Sequence, residues 1–240
     1  LFFAPAFADE NTEEIIESVT IIGSAEDLRK LPGSGQIITN DDLLKAMDTD
    51  IQKILTAVPG VYMRTEEGYG LRPNISIRGT AIERSAKVAI MEDGVLVAPS
   101  PYTSSSAYYF PTTGRIHSVE VLKGPAAVSQ GPQTIGGAIN LISTPIPNST
   151  SGKFVQELGE NGMMRTHAYF GGSSGNFGAL VEVHEHESDG FDSIANVGGD
   201  TGFDKSDFVF KARYESGAHS LTLKMVDLDE TSNQSYVGLS

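Results

Sequence analysis

From Met164 onward the chain alternates apolar and polar residues with a period of two, which commits it to half-buried antiparallel β-structure. Arg165, His167 and Tyr169 stand against Thr166, Ala168 and Phe170, and Phe177, Ala179, Val181 and Val183 against Gly178, Leu180, Glu182 and His184. Phe208, Phe210, Ala212 and Tyr214 oppose Val209, Lys211, Arg213 and Glu215; Leu221, Leu223 and Met225 oppose Thr222, Lys224 and Val226. One apolar and one mostly charged face, over strands of about ten residues, is the pattern of a membrane β-barrel with lipid outside and water inside. A soluble β-sandwich alternates in a similar way. Short turn sequences at residues 159–162 and 216–218 take turns with a long connection over 188–206. No apolar run approaches the ~20 residues of a spanning helix, so a helical membrane protein is excluded.

Charge and composition narrow the function. Against 17 Lys and Arg stand 31 Asp and Glu, a net charge of −14, which argues against a non-specific nucleic-acid binder. Cysteine is absent, so disulfides, zinc–thiolate sites and thiol nucleophiles are excluded. Residues 1–8 are apolar and end in Ala6-Phe7-Ala8 before Asp9-Glu10, which reads as the remnant of an export signal with its cleavage site. Residues 9–27 form an acidic arm without a single Lys or Arg, expected to be extended. Within it, residues 17–24 form a β-prone apolar patch. The patch suits strand addition to a partner's sheet edge, or the first strand of the following domain.

At about residue 28 the composition turns nearly neutral, and residues 28–147 read as a compact α+β unit. Asn40, followed by Asp41 and Asp42, reads as a helix start, and Thr49 opens a second helix over 50–57 that Pro59-Gly60 ends. Strands are expected at 60–64, 74–78, 87–91, 94–97 and 116–122, with a hairpin turn at Glu92-Asp93-Gly94. Polar loops at 65–73, 80–86 and 98–114 separate them. Tyr102 and Tyr108 amid serines suit a contact surface, whereas Tyr109 and Phe110 suit the core.

Five strings in this unit occur in one order: Pro59-Gly60-Val61, Ile75-Ser76-Ile77-Arg78-Gly79, Met91-Glu92-Asp93-Gly94, the run from Ser118 to Pro125, and the run from Gly131 to Asn140. Together they resemble the plug domain of TonB-dependent outer-membrane receptors. Residues 71–79, 108–111 and 131–133 are similar to the ferric-citrate branch of that family. The resemblance implies a mixed-sheet plug with short helices over 28–147, then the first antiparallel strands of an outer-membrane barrel over 148–240. Those residues hold about five strands where plugged barrels use about 22, so a fragment of a longer chain is expected.

The resemblance also implies a function: energised uptake of a ferric chelate such as iron citrate or a siderophore across a Gram-negative outer membrane. Glu17, Ser18, Val19, Thr20, Ile21 and Ile22 fall where the family carries its TonB box, the segment bound by TonB with its inner-membrane energising complex. Arg78, Glu120 and Lys123 are expected at the plug–barrel interface. Arg64, Arg72 and Arg84, with Tyr102 and Tyr108, are expected to face ligand, because arginine forks suit a carboxylate-rich anion. The outer wall meets lipid. No catalytic residues and no resident cofactor are expected. A different cargo (cobalamin, a sugar, another metal) or a periplasmic signalling or scaffold domain are the alternatives. His184 and His186 share a strand face with Glu182, a set that could hold a transition metal, though polar lumen-facing residues are ordinary in such a barrel.

Overall fold

The computed structural model describes residues 20–46, 50–65, 69–97, 109–191 and 199–233. The expectations for residues 1–8, for Glu17, Ser18 and Val19, and for Tyr102 and Tyr108 lie outside the described residues. The first element is α1 (Ala25–Leu28), opened by a capping box in which Ser24 and Asp27 exchange side-chain-to-backbone hydrogen bonds. After β1 (Ser34–Ile38), α2 (Asn40–Ala46) starts at Asn40, the residue expected to cap it, so the cap lies one residue earlier. Thr39 is the capping residue, because an acid stands three residues on: Asp42 Oδ2 accepts Thr39 N–H at 3.0 Å, and Thr39 Oγ1 accepts Asp42 N–H at 3.3 Å. Asp50, rather than Thr49, caps α3 (Ile51–Thr56) by accepting Gln52 N–H at 2.8 Å.

A short ribbon follows, β2 (Val61–Arg64) against β3 (Asn74–Ile77). Next come β4 (Val88–Glu92), β5 (Val95–Leu96), β6 (Ile116–Lys123) and β7 (Gly137–Ser143). They join β1 in one sheet of order β1-β6-β7-β4-β5, in which only β4 and β7 run parallel. The β4–β5 turn places Asp93 and Gly94 at φ 49° and 75°, the left-handed pair of a tight hairpin, as the Asp-Gly signal predicts. One face of this sheet packs on α3 through Ile51, Ile54 and Leu55. The other covers Met91, Leu122 and Ala138 with Ala127 and Ile22. Burial on both faces explains why β4 and β7 read as continuous apolar runs instead of alternating. It also gives the β-prone patch of the arm a place to pack: Ile22 is 6% exposed, inside that second cluster.

The remaining strands are β8 (Ser151–Leu158), β9 (Met164–Ser174), β10 (Phe177–Ser188), β11 (Phe203–Ser216) and β12 (His219–Ser232). They form one antiparallel meander in chain order. Its apolar face is bare: Phe154, Phe170, Phe177, Leu221 and Met225 are all more than half exposed. The opposite face, carrying Glu182, His184, Lys205, Asp207, Lys211 and Arg213, is buried against the first sheet. Because the side-chain period is two, this register fixes which face is bare and which packs on the first sheet. Both edge strands, β8 and β12, lack a second neighbour among the described residues.

Candidate functional site

The first sheet is tied to the barrel sheet by six ionised side chains. Arg115, at the mouth of β6, is 1% exposed. Its Nη1 and Nη2 donate to the Glu92 carboxylate at 2.6 and 3.2 Å, and its Nε donates to Asp207 Oδ2 on β11 at 2.6 Å. From β12, Lys224 Nζ reaches Glu92 Oε1 at 2.5 Å and Asp93 Oδ2 at 2.6 Å. Lys211 of β11 donates to the Thr144 carbonyl at 2.7 Å and stands 3.7 Å from Asp93 Oδ2. Three cations thus face three carboxylates, so the buried charge is balanced. Burial alone would raise the Glu92 and Asp93 carboxyls. Arg115 and Lys224 outweigh it at Glu92 and lower that group, and Lys211 and Lys224 bring Asp93 down to about 2.

Nearby, His167 Nε2 and Thr144 Oγ1 meet Glu182 Oε1 at 2.8 and 2.5 Å. His184 is fully buried, and neither of its ring nitrogens has a hydrogen-bond partner among the described residues. Gly114 seats directly on it; a Cβ there would stand 2.2 Å from His184 Nε2, so only glycine permits the approach. His184 and His186 do share a face, with ring centroids 6.2 Å apart. Glu182 is engaged by His167 and Thr144, and no group of three or more His, Asp or Glu that could hold a metal ion occurs among the described residues. Toward β8 and β9 the contact loosens into a cavity of about 590 Å³, lined among others by His117, Lys153, Glu157, Arg165 and His167.

Among the described residues, the three expected at the plug–barrel interface find their partners within the plug. Arg78 donates to Ser34 Oγ at 3.2 Å and Lys123 to the Pro59 carbonyl at 2.9 Å, both inside the first sheet's own domain. Glu120 is buried and accepts hydrogen bonds from the backbone of Ile21, Ile22 and Gly23. The described ion pairs to β11 and β12 run through Arg115, Glu92, Asp93 and Arg72. Nothing in the sequence around these residues marks a partner a hundred residues away. The readable hint was the mixture of charge signs on the inward positions of β11, which water alone would not require.

The arginines expected to face ligand part company. Arg64 pairs with Glu83 at 3.0 Å on the surface, joining the loops 65–73 and 80–86. Arg84 sits at φ 52° next to Ser85 at φ 56°. That left-handed pair is held by Asn74, whose Oδ1 accepts Arg84 N–H at 2.8 Å, and by buried Ser85, whose Oγ accepts Ile75 N–H at 3.0 Å. Arg72 turns toward the wall: its Nη1 lies 2.7 Å from Glu230 Oε1 of β12, an ionic contact whose angle does not make it a hydrogen bond. Glu230 Oε2 stands 3.1 Å from Lys205. Tyr69, which no motif singles out, anchors the same loop by bonding Ser188 Oγ at 3.1 Å and packing on Phe203 with centroids 4.5 Å apart.

Comparison with known proteins agrees with this arrangement. Residues 27–138 match the family model TonB-dependent Receptor Plug Domain. The vitamin B12 transporter BtuB of Photobacterium profundum is 25% identical over 80% of this chain and 34% of its own length. The iron-regulated outer membrane virulence protein of Vibrio cholerae serotype O1 is 31% identical over 63% of this chain and 24% of its own. Among solved structures, the unliganded ferric citrate transporter FecA superposes with a TM-score of 0.74 at 21% identity, covering 89% of this chain and 33% of that one. The siderophore receptor PirA of Acinetobacter baumannii gives 0.64 at 21% identity, over 85% and 32%. The chain spans about a third or less of the length of these relatives. Its plug-like sheet, its inward-charged strands and these matches agree: residues 27–138 match a TonB-dependent receptor plug domain, and the fold is that of such a plug followed by the first strands of an outer-membrane barrel.

Proposed function

We propose that the protein serves TonB-dependent active transport of a ferric chelate, such as iron citrate or a siderophore, across the outer membrane of a Gram-negative bacterium. The observation that carries this reading is a separate α+β domain docked on the charged face of a barrel sheet whose other face is apolar and exposed. A closed barrel filled in this way blocks diffusion, and cargo crosses only if the plug yields. Work is therefore required and no bond chemistry: the proposal assigns no catalytic residue and no resident cofactor, and the iron chelate is cargo.

TonB, with its inner-membrane complex, supplies that work through residues 17–22, and lipid surrounds the apolar wall. Arg64 and Arg84, with Tyr102 and Tyr108, are the groups assigned to the cargo; Arg72 holds its loop to Glu230. The names printed for FecA, PirA and the Vibrio protein support iron as cargo, whereas similarity to a vitamin B12 transporter over 80% of this chain supports cobalamin as the second reading. Growth of a strain deleted for the full-length gene, on defined iron chelates as sole iron source, tests it. Loss of growth on one chelate, restored by the gene, is expected. Normal growth on every chelate, with impaired growth on limiting cobalamin, selects the second reading.

A further inference from the structure

The arm's attachment to the plug has an unusual chemistry. Glu120 is 2% exposed at the centre of the sheet, on β6 between Ile37 of β1 and Asn140 of β7. Four donors reach its carboxylate. Ile21 N–H and Asn140 Nδ2 address Oε2 at 2.7 and 3.0 Å; Ile22 N–H and Gly23 N–H address Oε1 at 3.1 and 3.2 Å. Two donors on each oxygen satisfy a carboxylate's acceptor sites without any ion pair among them.

Three of the four are consecutive backbone N–H groups. In an added strand, every second N–H points at the partner's edge and must be free to bond there. A chain that lends Ile21, Ile22 and Gly23 together to Glu120 cannot at the same time present Ile21 or Ile22 in a strand ladder. Directly beyond, the Ser24–Asp27 capping box starts α1, so the held segment has a fixed end. Ile22 adds an apolar anchor beside the carboxylate, among Met91, Leu122 and Ala138.

We propose that Glu120 is the positioning residue of the coupling arm. It clasps the base of the TonB-binding segment on the plug, competes with strand addition through Ile21 and Ile22, and delivers a pull on the arm to β6 and β7. The inference rests on the reading of residues 17–22 as that segment. Glu120→Gln is the sharpest probe, because it keeps shape and removes one acceptor: two of the four donors then face an NH2 group.

Hydrogen exchange on the full-length receptor in detergent reads the clasp, and binding of the purified periplasmic domain of TonB reads the competition. In Glu120→Gln, the amides of Ile21, Ile22 and Gly23 are expected to exchange roughly tenfold faster or more while β6–β7 protection is kept, and the TonB domain is expected to bind several-fold tighter. Unchanged exchange at those three amides overturns the clasp; faster exchange without tighter binding overturns the competition. Should Glu120→Gln lose β6–β7 protection, Glu120→Asp, which keeps the charge but withdraws it, is judged by the same two outcomes. Deleting residues 17–19 separates the underlying reading: undiminished TonB-domain binding would place coupling elsewhere, whatever the exchange result.

Discussion

The plug has two attachments built on buried carboxylates, and they are compensated differently. Toward the wall, Glu92, Asp93 and Asp207 meet Arg115, Lys211 and Lys224. Toward the arm, Glu120 meets backbone N–H groups and one amide. Parting the first leaves full charges stranded in a dry interface unless water enters, and losing one partner of such a set costs several kcal/mol. Parting the second frees neutral donors that water or another strand's carbonyls satisfy, and leaves one carboxylate, Glu120, with Asn140 and whatever water enters. Release at the wall must therefore part six ionised groups, and release of the arm only one, so the wall contact is the stronger of the two.

The largest expected effect comes from breaking the wall cluster. Arg115→Met takes away the guanidinium that joins the Glu92 and Asp207 carboxylates, and should cost the plug about 3 to 5 kcal/mol in the full-length receptor. Denaturant titration of plug protection by hydrogen exchange measures it; a loss below about 1 kcal/mol would mean that water already screens the cluster. Acid sharpens the same point. Asp93 has its carboxyl held at about 2 against an ordinary 3.8, so it contributes stability that is complete above about pH 4 and lost as pH falls toward 2. That single group should account for about 2 kcal/mol, and Asp93→Asn should flatten the acid limb accordingly. Arg72→Ala comes next. It should loosen the loop 69–73 from β12 at about 1 to 2 kcal/mol, read as faster exchange at Tyr69 and Leu71, because Glu230 keeps only Lys205. Smallest is Arg64→Ala, whose exposed pair with Glu83 should leave stability unchanged, so any loss of chelate affinity by calorimetry reports contact with cargo.

How far the sequence reveals these two attachments differs as well. The barrel strands are legible because alternation is local: the inward set Leu180, Glu182 and His184 and the outward set Phe177, Ala179 and Val181 are where the period of two places them. The hairpin at Asp93-Gly94 is legible for the same reason. Charge partners are not. Arg115 and Asp207 are joined only by folding, and a lone arginine beside a strand looks the same whether it meets water or an aspartate. Arg78, Glu120 and Lys123 stand in strongly marked strings, yet their described partners lie within the plug, since a motif records that a residue is needed and not what it touches. The arm's patch at residues 17–24 suits a strand for a partner or for the following domain; the packing of Ile22 and the bonds to Glu120 show that its inner end packs on the plug without joining a strand.

Coupling through the arm is the claim on which the account turns, and Ile21→Pro addresses it directly. Proline removes the Ile21 N–H that Glu120 holds and that an added strand would use, and bars extended pairing at that point. Uptake of radiolabelled ferric citrate, or of whichever chelate the growth assay selects, is measured in cells carrying the full-length receptor with and without this change. The account predicts normal binding of chelate at the cell surface and no accumulation inside. Accumulation at the unmodified rate would contradict it.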